Sequence, residues 1–248
     1  MINFIEKPNL PEGKIKAVIC GELCRELKDF FNNRDIRQII IEPNNRIDPA
    51  VKYHVDMAAI HLGSKKILVD KCQGKLCETL KENGFDIYTT DEDIAGEYPE
   101  DIKLNFSIFG DRIMGKLPFA DNVLLSLIEN LKKINVKQGY CKCSCLVINE
   151  NSLITDDKSI YNIALENGID CLLISKGDVS LPGHGYGFIG GASGKISKKE
   201  VLFFGDITKH SDYKKIADFI EKHGCKIISL SFPLTDFGGI IPITEETP

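Results

Sequence analysis

Residues 207–243 read ITKHSDYKKIADFIEKHG, CKIISLSF and PLTDFGGIIPI in succession. This stretch shows most plainly the building unit that recurs along the chain. Its first part places Ile216 and Ile220 on one face of a charged segment, which predicts an amphipathic helix. Gly224 follows where helices commonly end, because glycine adopts the left-handed backbone conformation without steric cost. The β-branched run at 225–230 predicts a strand, and a glycine-rich loop comes next.

The same order of helix, glycine and strand recurs upstream. The phrases ENGFDIYTT (82–90), ENGIDCLLIS (166–175) and KHGCKIISLS (222–231) align by eye, and RDIRQIIIEP (34–43) closes an earlier unit. A hairpin, a helix and a strand can be counted around such phrases five times. One such unit cannot bury both faces of its sheet, so the units must pack together. The sequence therefore predicts an α/β fold of five ββαβ units, closed around a pseudo-fivefold axis as a single domain over residues 1–248.

Composition excludes several classes of protein. The formal net charge is −5, and the 31 Lys and Arg residues are scattered, so no basic stripe predicts binding to DNA. No apolar run approaches the roughly 20 residues that cross a bilayer, and the N-terminal sequence lacks the pattern of a secretion signal. Nine cysteines without such a signal are expected to stay reduced. We therefore expect a cytoplasmic protein with no membrane partner, and the formation of a homo-oligomer stays open.

The cysteines at 141, 143 and 145 alternate with other residues, so on a strand they would share one face. Strand neighbours two residues apart are separated by about 6.5–7 Å, which is wide for thiolates on one zinc ion. No histidine lies nearby and no C-x-x-C occurs. We expect these thiols to pack or to line a site, and we expect no metal.

A second pattern, GYGFIG at 185–190, matches the dinucleotide fingerprint G-x-G-x-x-G. That fingerprint must follow a strand and open a helix. The sequence here predicts a strand near 188–192 and another at 201–204 instead. We therefore expect no nucleotide and no cofactor, and we expect the glycines to let backbones crowd near the axis.

The loops that enter each unit's first hairpin should converge on the axis and line a central site. They offer carboxylates, imidazoles, amides and an amine, which suit a small polar or cationic metabolite better than an apolar one. The candidate catalytic residues are Cys143, His54 and His184. The candidate ligand-binding residues are Glu42, Asp56, Asn105, Lys142, Tyr186 and Asp236. In the alternative interpretation these residues have structural roles and line no site. Asp56 and Asp236 can cap turns, and His54 can be a hydrogen-bonded surface residue.

These motifs carry a family resemblance. The repeat, the H-x-D triplet at 54–56 and the terminal Gly-Gly loop resemble the pentein superfamily, the α/β-propeller of guanidino-group-modifying enzymes. More specifically, YHVDMAAIHLG (53–63), GYCKCSCLVI (139–148), GYGFIGGASG (185–194) and DFGGIIPI (236–243) resemble an uncharacterised bacterial branch of it. The resemblance implies acidic residues that hold a guanidinium, a cysteine that attacks its central carbon, and a histidine that acts as acid and base.

One departure from the family pattern bears on activity. The family's nucleophile follows the final Gly-rich turn, and Pro242 stands where that cysteine is expected. Proline has no nucleophilic side chain, and no cysteine follows Cys225. Three hypotheses follow. The first is binding of a guanidino or amino-acid-like metabolite at the axis, and the second is an amidinohydrolase or deiminase-like enzyme that uses Cys143. The third is a ribosome or protein-interaction factor, since the fold also serves a ribosome anti-association factor.

Overall fold

The computed structural model describes residues 1–247, and its strands and helices alternate along the whole of that range. The strands are β1 (Ile2–Phe4), β2 (Lys14–Cys20), β3 (Arg37–Ile40), β4 (Ala59–Gly63), β5 (Lys66–Val69), β6 (Asp86–Thr89), β7 (Ser107–Phe109), β8 (Arg112–Gly115), β9 (Lys132–Asn135), β10 (Cys145–Asn149), β11 (Ser152–Thr155), β12 (Asp170–Leu173), β13 (Ser193–Ser197), β14 (Glu200–Phe203), β15 (Lys226–Ile228) and β16 (Ile240–Glu246). The α-helices are α1 (Arg25–Asn32), α2 (Val55–Ala58), α3 (Gly74–Glu82), α4 (Asn122–Leu127), α5 (Cys141–Ser144), α6 (Lys158–Glu166) and α7 (Tyr213–Lys222). Short 3-10 turns occur at Glu100–Ile102, Leu117–Phe119 and Ile207–Lys209.

Fifteen of these strands form five modules of identical topology, which confirms the predicted ββαβ units. In each module the first strand pairs antiparallel with the second, and the second pairs parallel with the third. The module's long helix connects the second strand to the third. The modules are β16-β2-α1-β3, β4-β5-α3-β6, β7-β8-α4-β9, β10-β11-α6-β12 and β13-β14-α7-β15.

The second strand of each module is buried on both faces. Successive side chains of a strand point to opposite faces, so two adjacent apolar residues contribute to two different cores. Ile67 of β5, for example, belongs to the cluster shared with β2 and β3, whereas Leu68 belongs to the cluster shared with β7 and β8. The same division holds for four other pairs, namely Ile113 and Met114, Leu153 and Ile154, Val201 and Leu202, and Val18 and Ile19.

These pairs place one hydrophobic cluster between each module and the next. The cluster between the last and the first modules contains Leu202 of β14 and Val18 of β2, so the series of interfaces returns to its start. A fivefold series that closes on itself is a ring, and the first strands of the modules line its axis. The predicted propeller of five modules is therefore confirmed.

The ring is closed by a strand that the sequence analysis did not predict. β16 provides the first strand of the first module, with pairings that run from Ile240 opposite Cys20 to Glu246 opposite Lys14. The sequence prediction placed a glycine-rich loop after the strand at 225–230, and Pro242 in this region cannot donate a ladder hydrogen bond. The pairing register shifts just after Pro242, and such a bulge accommodates the proline.

Two further predictions near the axis are wrong. The predicted strand at 188–192 is a loop, and the first strand of that module begins at Ser193. The segment with the three alternating cysteines is the helical turn α5, followed by β10 from Cys145. A similar turn, α2, precedes β4. These turns position side chains at the axial end of the strands, where the candidate site lies.

Across residues 1–247, none of the helices has both the length and the apolar character that a membrane span requires.

Candidate functional site

Cys143 lies at the axis because α5 is helical. Residues four apart on a helical turn lie on one side, whereas residues two apart point in nearly opposite directions. Cys141 and Cys145 accordingly face each other, with their Sγ atoms 3.9 Å apart. Cys143 points the other way and donates a hydrogen bond from its thiol to Oδ2 of Asp56, at 2.8 Å. Cys141 and Cys143 lie on a helical turn and not on a strand, so the three cysteines do not share one face.

Asn105 fixes the position of this thiol from a third module. Its Nδ2 donates to the Sγ atom of Cys143 at 3.2 Å and to the Sδ atom of Met57 at 3.2 Å. Its Oδ1 accepts the backbone N–H of Lys142 at 2.8 Å. Asn105 is fully buried, so both ends of its amide are satisfied only in this orientation. The amide donor aimed at sulfur favours the thiolate form of Cys143.

His54 and Asp236 form the opposite side of the cluster. The Nε2 atom of His54 lies 3.8 Å from Oδ1 of Asp236, and both side chains are buried. Asp236 is anchored by two backbone donors, the N–H of Phe188 to Oδ2 and the N–H of Gly238 to Oδ1, each at 2.9 Å. The Nδ1 atom of His54 is buried without a hydrogen-bond partner. A buried polar atom without a hydrogen-bond partner is costly to the stability of the fold.

The glycines of the two Gly-rich loops make this close approach feasible. A Cβ atom on Gly191 would lie 1.9 Å from Oδ1 of Asp236, and one on Gly187 would lie 2.5 Å from the Cβ atom of Asp236. Gly238 has a φ of +78°, and a Cβ there would lie 2.4 Å from the Cα atom of His54. Side chains at these positions would displace His54 and Asp236. Within the motif at 185–190, the expected crowding occurs at Gly187 and Gly190, whereas a Cβ atom on Gly185 would have no neighbour within 4 Å.

A cavity of about 220 Å³ opens above the cluster. Cys143, His54 and Asp236 line it directly, whereas Asp56 and Asn105 bind the thiol without lining the cavity. Its walls are aromatic and apolar. They comprise Tyr140, Tyr186, Phe188, Leu181 and Val51, with Asp48, His184 and Gly185 completing the lining. The site thus combines a thiol, an imidazole and a carboxylate at the base of a narrow apolar cavity.

The electrostatics of the cluster oppose ionisation of the thiol in the absence of a ligand. Burial raises the pKa of Cys143 well above its usual range, and the carboxylates of Asp56 and Asp236 raise it further. Burial also raises the pKa of Asp56 to about 6, although the charge of His54 and the hydrogen bond from Cys143 oppose this rise. A cation in the cavity would offset the carboxylate charges and so favour the thiolate.

The raised pKa of Asp56 predicts a stability cost that depends on pH. Its pKa is about 6 in the folded chain and about 3.9 in an unfolded one. Between these values the folded chain binds a proton that the unfolded chain does not, so stability falls as pH rises from about 4 to 6. Asp56→Asn resembles the protonated acid. We expect the variant to be more stable than the wild type by about 2–3 kcal/mol at pH 8.

Urea denaturation at several pH values checks this prediction. The difference in unfolding free energy should shrink toward zero near pH 3.5, where Asp56 is protonated in both states. Asp218→Asn on the exposed face of α7 is the matched control and should change stability little at any pH. A destabilised Asp56→Asn variant at pH 8 would contradict the assignment of a costly buried charge.

The structure brings most of the predicted site residues together. His54, Asp56, Asn105, Cys143 and Asp236 form the cluster just described. His184 and Tyr186 line the outer part of the cavity, where Nε2 of His184 lies 3.1 Å from Oδ2 of Asp48. With a nearly half-exposed side chain, His184 is a rim residue rather than a neighbour of the thiol. The roles given to all these residues stay predictions.

Two predicted residues belong neither to the cluster nor to the lining of the cavity. Glu42 is exposed and exchanges backbone hydrogen bonds with the side-chain amide of Gln73 at the start of α3, whereas later residues of the same loop, Asp48 and Val51, line the cavity. Lys142 does not line the cavity either, because it follows Cys141 on the helical turn and points away from Cys143. Its charge nevertheless lowers the pKa of Asp56.

Several cavity residues escaped the sequence analysis. Tyr140 donates a hydrogen bond from its hydroxyl to Oδ2 of the buried Asp101 at 2.8 Å, which holds the aromatic wall in place. Tyr140 and Phe188 have ring centroids 6.2 Å apart. Asp156, which the sequence analysis also did not name, lies outside the lining of the cavity: it is buried, one carboxylate oxygen lacks a partner, and burial raises its pKa to about 7. A buried acid directly after a strand was the available signal for Asp156.

The cluster also offers metal ligands. One donor atom each from His54, Asp56 and Cys143 lies within 4.8 Å of the others. Imidazole, carboxylate and thiolate are ligands that zinc prefers, and three of them leave a fourth position open. The residues present therefore fit a zinc ion, and the sequence-based expectation of no metal stays a prediction.

Solved structures of known enzymes resemble this fold at low sequence identity. The amidinotransferase SxtG from Microseira wollei, in the saxitoxin biosynthetic pathway, matches with a TM-score of 0.59 and 11% identity over 97% of this chain and 96% of that chain. The inosamine-phosphate amidinotransferase StrB1 from Streptomyces griseus matches with a TM-score of 0.61 and 8% identity over 100% and 98% of the two chains. Agmatine deiminase from C. jejuni matches with a TM-score of 0.54 and 12% identity over 93% and 91%.

These enzymes share the pentein fold, and the present chain is a pentein α/β-propeller. No curated protein sequence matches the chain. Residues 18–241 match the sequence profile of a family described as a family of unknown function (DUF6873), and the chain belongs to that family.

Proposed function

We propose that the protein binds a small cation of the guanidinium or amidinium class in the axial cavity and cleaves one of its C–N bonds with Cys143 as nucleophile. The observation that carries this proposal is the cluster itself: a thiol, an imidazole and a carboxylate from three modules meet at the base of one cavity. Guanidino-modifying activity in proteins of similar fold supports the substrate class.

Charge favours a cationic ligand without a carboxylate. Asp236 and Asp48 line the cavity, and Asp56 lies directly beneath the thiol. Among residues 1–247, neither lysine nor arginine contributes to the lining, and Nζ of Lys176 lies outside it, 5.7 Å from the ring centroid of Tyr186. Phe188, Tyr140 and Tyr186 present aromatic surface that suits a planar cation and an aliphatic chain. An alkylguanidine fits these features better than a zwitterionic amino acid.

The proposed chemistry uses each group at the position where it lies. Asp236 would accept hydrogen bonds from the N–H groups of the cation and hold its central carbon near the sulfur. The positive charge beside Cys143 offsets the carboxylates and favours the thiolate, which attacks that carbon. His54 would donate a proton to the leaving amine and then take one from the water that cleaves the C–S bond. Asp56 and Asn105 orient the thiol, and Asp56 accepts its proton.

Ligand binding tests the first step. We expect a guanidinium ligand at a hundred times its dissociation constant to stabilise the protein by about 2.7 kcal/mol in a thermal-shift or calorimetric measurement. The matched control ligand is the alkylurea that corresponds to the guanidinium ligand, because it has the same shape but carries no charge. Agmatine and arginine, compared directly, test whether a carboxylate is excluded. Ammonia and the amine product are assayed in the same samples.

Asp236→Asn should weaken binding of the guanidinium ligand about tenfold to a hundredfold, because a charged hydrogen bond is worth about 1.5–3 kcal/mol. Asp218→Asn, on the exposed face of α7, is the matched control and should bind as the wild type does. Equal binding of the guanidine and its urea, or an unaffected Asp236→Asn variant, would contradict the proposal.

A zinc-dependent hydrolase is a second candidate, favoured by the close approach of donor atoms from His54, Asp56 and Cys143. In that case the three side chains would hold the ion, which would supply an activated water at the open position. Treatment with a chelator separates the candidates. Turnover that survives chelation supports the thiol mechanism, and turnover that is lost and then restored by Zn²⁺ supports the metal.

A further inference from the structure

One short segment forms the outer side of the axial cavity. Residues 182–186, with the sequence PGHGY, are all exposed, and the last three of them line the cavity. Cys143 also lines the cavity at its base, yet this residue is only 2% exposed. The thiol is thus almost closed off from solvent, and residues 182–186 are the outermost part of the enclosure.

Both ends of this segment are fixed to the body of the protein. The backbone N–H of Gly187 donates to the carbonyl oxygen of Val179 at 2.8 Å, so the two ends of the loop meet. The carbonyl oxygen of Ser180 accepts the backbone N–H of Asp236, also at 2.8 Å. Residues 182–186 therefore project as a compact loop from a base that is tied to the catalytic cluster.

Few contacts hold the projecting residues in place. A Cβ atom on Gly185 would meet nothing within 4 Å, and Gly183 has a φ of +97°, which glycine adopts without strain. Across the mouth of the cavity, Nε2 of His184 lies 3.1 Å from Oδ2 of Asp48, and both side chains are nearly half exposed. Exposed pairs of this kind contribute little to stability. Opening of the loop therefore costs little free energy.

The ring of Tyr186 is the largest group that this segment places over the cavity. It meets Phe188 edge to face, with ring centroids 6.0 Å apart, and Nζ of Lys176 lies 5.7 Å from its centroid. Tyr186 is nevertheless 37% exposed, so neighbours hold only part of its surface. Outward movement of the segment would take this ring out of the lining and widen the mouth.

We propose that residues 182–186 form a lid over the axial cavity and that the contact between His184 and Asp48 is the latch that holds it closed. The closed lid restricts access of water and ligands to Cys143, and a ligand enters when the latch breaks. The value of the lid rests on the proposed function, because a water-poor site strengthens the attraction between carboxylates and a cation. Its opening needs no ligand. A test that measures access to the thiol therefore fails or succeeds separately from the proposed function.

A disulfide across the mouth tests whether the lid must open. An ideal Cβ atom on Gly183 lies 3.4 Å from the Cβ atom of Ala50, close to the separation of about 3.5–4.5 Å in disulfides. The double variant Ala50→Cys/Gly183→Cys should therefore lock the lid when it is oxidised. We expect iodoacetamide to alkylate Cys143 at least about tenfold more slowly in the oxidised form than in the reduced form, as quantified by mass spectrometry. The two forms share one sequence, so the substitutions themselves affect both.

His184→Ala tests the latch. Loss of an exposed ion pair should raise the alkylation rate of Cys143 about twofold to fivefold. His184→Gln keeps a donor for Asp48 and should react at close to the wild-type rate. Glu12→Ala is the matched control, because it removes an exposed ion pair with Lys198 and neither residue lines the cavity. It should leave the rate unchanged.

Circular dichroism identifies any variant that fails to fold. If His184→Ala does so, the oxidised and reduced forms of the double variant decide, and if the disulfide does not form, the latch variants decide. Equal alkylation of Cys143 in the oxidised and reduced forms, or a folded His184→Ala variant that reacts like the wild type, would overturn the proposal.

Discussion

Cys143→Ala is expected to abolish C–N bond cleavage, with a loss of at least about a thousandfold in kcat, while a guanidinium ligand still binds. Removal of a nucleophile costs this much or more in enzymes that form covalent intermediates. Among the residues that line the cavity, Cys143 is the only one with a thiol, and serine and threonine are absent from the described lining. No neighbour can therefore replace it. Binding should change little, because the charge of Asp236 remains.

Cys141→Ala is the matched control for this variant. It removes a buried thiol from the same helical turn, but that thiol faces Cys145 and not the cavity. A small haloamidine, which combines an amidinium with a leaving group, should form a covalent adduct at Cys143 that mass spectrometry detects. The Cys141→Ala protein should form the same adduct. A Cys143→Ala protein with wild-type turnover would exclude the thiol as nucleophile and would also count against the zinc-dependent candidate, in which Cys143 is a ligand.

Ile243→Ala is expected to destabilise the protein by about 4 kcal/mol, because the side chain is fully buried in the cluster between the first and second modules. Unfolding free energies of single domains are about 5–15 kcal/mol, so much of the stability would be lost. Ile243 belongs to β16, which closes the ring, and a cavity there weakens both the strand and the module interface. Urea denaturation followed by circular dichroism measures the change.

Ile2→Ala provides a matched substitution on the neighbouring strand β1. Ile2 is 63% exposed, so the same change in side chain should cost well under about 1 kcal/mol. If the closing strand were marginal to stability, the two variants would unfold at similar urea concentrations. That result would contradict the structural role assigned to β16.

The fivefold repeat could be predicted from the sequence because each module repeats the same local signals. Gly84, Gly168 and Gly224 each end a helix with a positive φ, and an apolar strand follows each of them. The paired apolar residues of the second strands also reflect local physics, since a strand buried on both faces needs two adjacent apolar side chains. Such local signals can be recognised in the sequence without knowledge of tertiary contacts.

β16 could not be predicted in the same way. Its partner β2 lies at the other end of the chain, and the glycines and the proline at its start favour a loop when they are considered locally. The strand forms because β2 offers an unpaired edge that only the distant segment covers. Long-range pairing of this kind overrides local propensity.

The candidate site was accessible from sequence only in part. His54, Asp56, Asn105 and Asp236 follow from their positions before the first strands, which converge at the axis. The orientation of Cys143 depends on α5 being a helical turn, and the alternating cysteines favoured a strand instead. Glu42 lies at the start of the segment that leads from β3 to β4, where Gln73 holds its backbone, and only later residues of that segment line the cavity.

The pairing of β2 with β16 has a consequence for biosynthesis. A ribosome releases β2, α1 and β3 well before their missing partner β16, which emerges only after the other four modules have been synthesised. Until then, one edge of the nascent sheet and the apolar surface that Ile243 later covers stay exposed, as is typical of segments that attract chaperones. The four later modules can each fold as they are synthesised, but the first module cannot be completed until β16 has been made.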